Sequence, residues 1–229
     1  MISENERKND VSAQKQVALD SRFAVEGDGK TKVLFIGNSI TRHGPAPEIG
    51  WYGDYGMAAS AKEKDYVHVA ASLLEGPLGG ITVGICQAAD WERGFRDEGL
   101  LQAHFSEAHG FAADIVVVRI GENILPEDLP DVRPYFPKMI RHFAHKARLV
   151  VVTDSFWRND VRDGILHDVA QAEGYTFCSI VDLEQDERNM ALTEYEHRGV
   201  AGHPSDRGMQ KIAERIASAI LSEEEMLTR

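Results

Sequence analysis

Long apolar runs are missing from this 229-residue chain: no stretch of about 18 apolar residues occurs, so no transmembrane helix is expected. The N-terminal MISENERKNDVSAQKQ also lacks the apolar segment of a secretory leader, and the expectation is a soluble, cytoplasmic protein. Basic residues are scarce, 25 Lys and Arg against 37 Asp and Glu, for a formal net charge of -12, and they form no long run. Nucleic acid and anionic membranes need basic patches, so neither is an expected partner. Cysteine is nearly absent. Cys86 and Cys178 both lie in apolar, strand-like runs and read as buried free thiols rather than a disulfide. The G-x-x-x-x-G-K-[ST] phosphate loop and the G-x-S-x-G elbow are both missing. His142 and His145 stand three apart on an amphipathic stretch with no carboxylate or Cys set beside them, so neither a metal nor a cofactor is expected.

What the chain does have is a hydrophobic content of 43%, enough for one well-buried core. Residues 1–28 are polar and read as an N-terminal extension, partly disordered or packed loosely on a domain spanning 29–229. Five short runs rich in β-branched residues follow, at 32–37, 81–86, 114–121, 148–154 and 176–183. Helix-like stretches alternate with them, at 57–74, 92–109, 129–146, 159–173 and from about 206 onward. Continuously apolar strands alternating with amphipathic helices indicate a parallel sheet covered on both faces. The expected fold is therefore α/β, a three-layer doubly wound parallel sheet of about five strands in the flavodoxin-like order 2-1-3-4-5. In such sheets ligands bind beyond the carboxyl ends of the strands, where strands 1 and 3 lie side by side.

Two sequence features open at that place. KVLFIGNSIT ends the first strand at Gly37 and then offers Asn38, Ser39 and Thr41; GEN, Gly121 to Asn123, ends the third. A serine hydroxyl needs a base to become a nucleophile. Among nine histidines, His203 is the favoured candidate, because GVAGHPSDRGM is a loop just ahead of the last amphipathic helix. His43, four residues after Ser39, is a candidate substrate contact or a plain loop residue. Acyl transfer also needs donors for the developing oxyanion. Candidates are the Ser39 amide, an amide near Ala88 or Ala89, and the Asn123 side chain. Singly, each is ordinary turn chemistry.

GNSI, GEN and HP, in that chain order, resemble the SGNH/GDSL hydrolase family over nearly the whole chain. The resemblance implies Ser39 as nucleophile and oxyanion donor, Asn123 as side-chain oxyanion donor, and His203 as general base. Four positions depart from the family pattern. Asn38 stands where an Asp usually precedes the nucleophile, and Ile124 where an Asp usually follows the Asn. The glycine of the second block is not evident: Gly84 falls within a strand, and Ala89 is nearer the expected turn. Val200 occupies the place, three before the histidine, of the acid that orients it. A carbonyl in the 199–202 loop, or Glu194, Glu196 or Asp206, could replace that acid.

The tryptophans Trp51, Trp91 and Trp157 all fall beyond strand ends. They read either as a roof on the core or as an aromatic rim for a sugar ring or short acyl chain. With the rim go His43 and Glu122 as substrate contacts, and Asp54, Glu92, Arg93 and Arg119 as possible hydroxyl binders. Arg119 and Glu122 read equally as a structural ion pair. The functional expectation is a serine ester hydrolase acting on small acyl esters, acetyl foremost, with a small-molecule or glycan ester as partner. Its rivals are a catalytically silent glycan-binding module of the same fold and, less favoured, a phosphate binder using the NSIT turn. The sequence sets no oligomeric state.

Overall fold

The computed structural model describes residues 22–227. Six strands form one sheet: β1 (Phe23–Glu26), β2 (Thr31–Gly37), β3 (Ile81–Gln87), β4 (Ile115–Arg119), β5 (Leu149–Thr153) and β6 (Thr176–Cys178). Their order is β1-β3-β2-β4-β5-β6, and every pairing is parallel except that of β1 with β3. The five parallel strands thus have the expected order, with β2 and β4 adjacent at the centre. In-register pairs such as Val33 with Ile115 and Gly37 with Arg119 bring the ends of β2 and β4 level.

Strand periodicity sorts the core into two layers. Leu34, Ile36, Val116, Val118, Val150 and Val152 face one side, whereas Val33, Phe35, Ile115, Val117, Leu149 and Val151 face the other. Five helices supply the first face: α2 (Ala89–Gly94), α3 (Leu100–Gly110), α4 (Leu129–Val132), α5 (Tyr135–Phe143) and α6 (Asp160–Glu173). The second is covered by α1 (Tyr66–Glu75) and α8 (Asp206–Leu227), through Val67, Ala70 and Leu74 packed with Met209, Ile212, Ile216 and Ile220. The short α7 (Arg198–Ala201) precedes α8 in the stretch that leads to His203.

The structure shifts several sequence boundaries. Within the stretch read as an extension, β1 pairs antiparallel along β3; residues 1–21 lie outside the described residues. Helix 57–74 begins only at Tyr66, where the Asp65 carboxylate accepts the His68 amide as an N-cap. Helix 92–109 is two helices, broken where Asp97 accepts the Gly99 amide in a turn. Helix 129–146 breaks at Arg133 and Pro134, and strand 176–183 stops at Cys178. Cys86 and Cys178 are buried free thiols. No helix among the described residues is long and apolar enough to cross a membrane.

Candidate active site

Ser39 lies in the turn leaving β2, held by the Thr41 and Arg42 amides donating to the Asn38 carbonyl at 2.9 and 3.0 Å. Gly37 is required here for space: a Cβ would lie 1.9 Å from Thr41 Oγ1 and 2.6 Å from the Arg119 carbonyl. No helix follows directly. Instead the chain loops back, and the Met57 amide donates to the Ser39 carbonyl at 2.9 Å, bracing the turn from outside. The Ser39 amide makes no hydrogen bond to another described residue.

His203 reaches this turn from 164 residues away, its Nε2 2.8 Å from Ser39 Oγ. Its Nδ1 lies 2.6 Å from the Gly199 carbonyl. A carbonyl only accepts, so the proton must sit on Nδ1 and the Nε2 lone pair faces the serine hydroxyl. The local cause is the ending of α7. The Ala201, Gly202 and His203 amides donate to His197, Arg198 and Val200 carbonyls, which passes over Gly199 and leaves its oxygen for the ring. Trp157 braces the loop, its Nε1 donating to the Gly202 carbonyl at 3.0 Å and its ring edge-on to His203 at 5.0 Å. Ser39 and His203 are 2% and 1% exposed. Burial, chiefly, pushes His203 down to about 3, assisted by His43 and Arg119 and opposed by the Gly199 hydrogen bond and Glu122.

The expected acid is replaced by a carbonyl rather than by a displaced carboxylate. Val200 is fully buried in an apolar cluster with Trp51, Met57 and Ala191. Asp206 is committed elsewhere, to the Ser60 amide and hydroxyl and to Lys64.

Beneath Ser39 lies a buried polar network. Arg119, at 0% exposure, donates to Glu122 Oε1 at 2.6 Å and to Asn38 Oδ1. Asn38 Nδ2 donates to Glu122 Oε2 at 2.7 Å and to Glu92 Oε1 at 3.1 Å. Glu92 Oε1 also accepts the Gly121 and Asn123 amides at 2.7 and 3.0 Å, and its Oε2 accepts Asn123 Nδ2. Burial raises the Glu122 carboxyl, but Arg119 and Arg162 outweigh it and hold the group at about 2. Glu92 is pushed up, by burial first and then by the Glu122 charge.

Several expected contacts fall elsewhere. Trp51 and Trp91 form no rim: both are 2% exposed, Trp51 packed on Tyr55 and Tyr195, Trp91 on Phe136. Each indole, Trp51 on a loop and Trp91 on α2, is drawn into the nearest apolar layer, since burying it is worth more than a wet edge. Only Trp157 is beside the serine and histidine. Glu122 is a buried ion-pair member, and Glu92 and Arg119 are too deep to meet a substrate hydroxyl. Asp54 pairs with Arg42. His43 is buried, its Nδ1 2.7 Å from the Gly44 carbonyl. The Ala89 amide already faces Gln87 Oε1 at 3.2 Å, and the Ala88 amide donates to the Gly37 carbonyl at 2.6 Å. Gly84 is a packing glycine, where a Cβ would meet Phe111 and Leu34 at 2.9 and 3.0 Å. Among the described residues no group of three or more His, Cys, Asp or Glu is placed to hold a metal ion.

No sequence-family model matches the chain, and no curated protein matches it by sequence. Solved structures do. LAE5, an alpha/beta hydrolase enzyme from the metagenome of Lake Arreo in Spain, superposes with a TM-score of 0.55 at 17% identity, over 85% of this chain and 94% of its own. A variant of Axe2, an acetyl xylan esterase from Geobacillus stearothermophilus, has a TM-score of 0.55 at 15% identity, over 84% and 95%. A lipolytic protein of the G-D-S-L family from Desulfitobacterium hafniense has a TM-score of 0.51 at 14% identity, over 83% and 99%. The order of the parallel strands and these likenesses together establish that the chain has the flavodoxin-like fold of the SGNH/GDSL hydrolases.

Proposed function

We propose that this protein is a serine ester hydrolase in which Ser39 is the nucleophile and His203 the general base. The observation that carries the reading is the 2.8 Å contact between Ser39 Oγ and His203 Nε2, with Nδ1 on the Gly199 carbonyl. As Oγ attacks the ester carbonyl, its proton passes to Nε2; the imidazolium then protonates the departing alkoxide, leaving an acyl-serine. Water repeats the sequence and releases the acid. The Ser39 amide and Asn123 side chain are the proposed donors to the oxyanion.

A dyad of this kind suffers less than a triad stripped of its acid. In the serine-protease template, replacing the acid by its amide costs about 10,000-fold, largely through the wrong imidazole tautomer. The Gly199 carbonyl accepts from Nδ1 and so selects the productive tautomer. What it lacks is the charge, and a neutral acceptor has roughly half the strength of a charged one.

The substrate proposed is a small acyl ester, with acetyl groups on carbohydrate as the favoured class; the likeness to Axe2, an acetyl xylan esterase, supports this choice. The intact serine–histidine contact speaks against a silent glycan-binding module. The test is Ser39→Ala assayed on p-nitrophenyl acetate and on acetylated xylo-oligosaccharides. Turnover is expected to fall at least about 10,000-fold with an unchanged melting curve, and an organophosphonate should modify Ser39 in the wild-type protein. Undiminished turnover in Ser39→Ala refutes the assignment.

A further inference from the structure

Asn123 is tied down in an unusual way. Its Nδ2 donates to Glu92 Oε2, while its own Oδ1 is buried with no hydrogen-bond partner among the described residues. An unsatisfied buried oxygen is costly, and a freely turning amide would avoid that cost where it could. A half-turn of the side chain about Cβ–Cγ is blocked, because with Glu92 ionised, the form that the four donors converging on it favour, it would set Asn123 Oδ1 against Glu92 Oε2, acceptor against acceptor. Glu92 cannot turn away either. Its Oε1 accepts the Gly121 amide at 2.7 Å, the Asn123 amide at 3.0 Å and Asn38 Nδ2 at 3.1 Å.

Glu92 sits on α2, yet these contacts join the turn after β2, which carries Ser39, to the loop after β4, which carries Asn123. Its partners stand 54, 29 and 31 residues away. Glu92 is 1% exposed, so its carboxylate meets the protein and not the substrate.

We propose that Glu92 is the positioning residue of the oxyanion site: its carboxylate fixes which edge of the Asn123 amide is presented beside Ser39. The role rests on the ester-hydrolase reading above and deepens it. With one Nδ2 proton held by Glu92, the other has a set direction, and pre-set donors are the ones that stabilise developing charge without reorganisation.

Glu92→Gln tests this directly. The glutamine keeps its oxygen where three donors converge, so its Nε2 faces Asn123 Nδ2, donor against donor. Relief requires the Asn123 amide to turn, which re-aims Nδ2. On p-nitrophenyl acetate we expect kcat to fall about 10- to 100-fold with KM within about 3-fold of wild type, as for a misplaced transition-state donor. In protein labelled with 15N at asparagine, the Asn123 side-chain protons of the wild type should be well separated, one shifted by its carboxylate partner, and this pattern should change in Glu92→Gln while the melting curve shows a folded protein. Should Glu92→Gln fail to fold, a high-resolution structure of the wild type decides by the orientation of the Asn123 amide against Glu92. Wild-type kcat in Glu92→Gln, unchanged Asn123 signals, or Asn123 Oδ1 facing Glu92 overturns the proposal. Inactivity of the wild type on every ester would overturn the ester-hydrolase reading instead, and the amide signals would still decide whether Glu92 sets the orientation.

Discussion

The pH dependence of hydrolysis is the sharpest consequence of the dyad. As the proposed general base, His203 would act only when neutral, so activity would be lost as pH falls through its pKa. An ordinary histidine at about 6.5 is only about 3% neutral at pH 5. His203 is pushed down to about 3, chiefly by burial, and no carboxylate touches its ring to pull it back. At pH 5 it is then about 99% neutral, roughly a 30-fold advantage. The expected kcat/KM profile on p-nitrophenyl acetate, followed at the isosbestic wavelength of the product, is flat from pH 8 to pH 5. Stability runs the other way. The unfolded chain takes up the His203 proton below about 6.5 and the folded chain does not, so this group removes about 2 kcal/mol of stability by pH 5. Fluorescence at each pH must therefore show the folded protein. An acid limb near 6.5 in folded enzyme refutes the reasoning and implies an anionic partner on His203.

Two further outcomes follow from the buried groups. Val200→Asp restores the family residue in sequence only: the carboxylate enters an apolar cluster beside Trp51 and Met57, so the urea midpoint should drop by the equivalent of about 3 kcal/mol or more, with no gain in kcat. A gain in kcat with unchanged stability would mean that an acid can reach the ring. Glu122→Gln leaves the Arg119 guanidinium buried and half-paired, and should cost about 3–5 kcal/mol at pH 7 by urea unfolding. Because Glu122 is held at about 2, against an ordinary value of 4.5, the contribution it makes in the wild type is present above about pH 4.5 and fades as the pH falls toward 2. A Glu122→Gln protein as stable as wild type at pH 7 would refute a structural role for this pair.

The fold was legible because its signals are local. VLFI, IVVV and LVVV are apolar on both alternating faces, which only a strand covered on both sides requires, and the helices between them carry apolar stripes. Ser39 was legible for the same reason, since a strand that stops at Gly37 must turn there. FAVE was not: four residues at a sheet edge, with Val25 half exposed, carry almost no pattern. The helix breaks after residues 94 and 132 were likewise lost in stretches whose apolar spacing continues across the gap.

By itself, then, the sequence determined the parallel order, the central place where β2 and β4 lie side by side, and two candidate residues, Ser39 and His203, whose side chains meet there. Only the tertiary structure decided what holds them. That a skipped carbonyl at Gly199 orients the imidazole depends on how a four-residue helix ends. That Glu92 clamps Asn123, and that Trp51 and Trp91 go inward while Trp157 stays by the histidine, depends on which loops cross above the sheet. Periodicity reports the backbone of one segment and the face it buries. The pairing of a buried donor with its acceptor is settled only when segments distant in sequence meet, because each must then find a partner or bear the cost of having none.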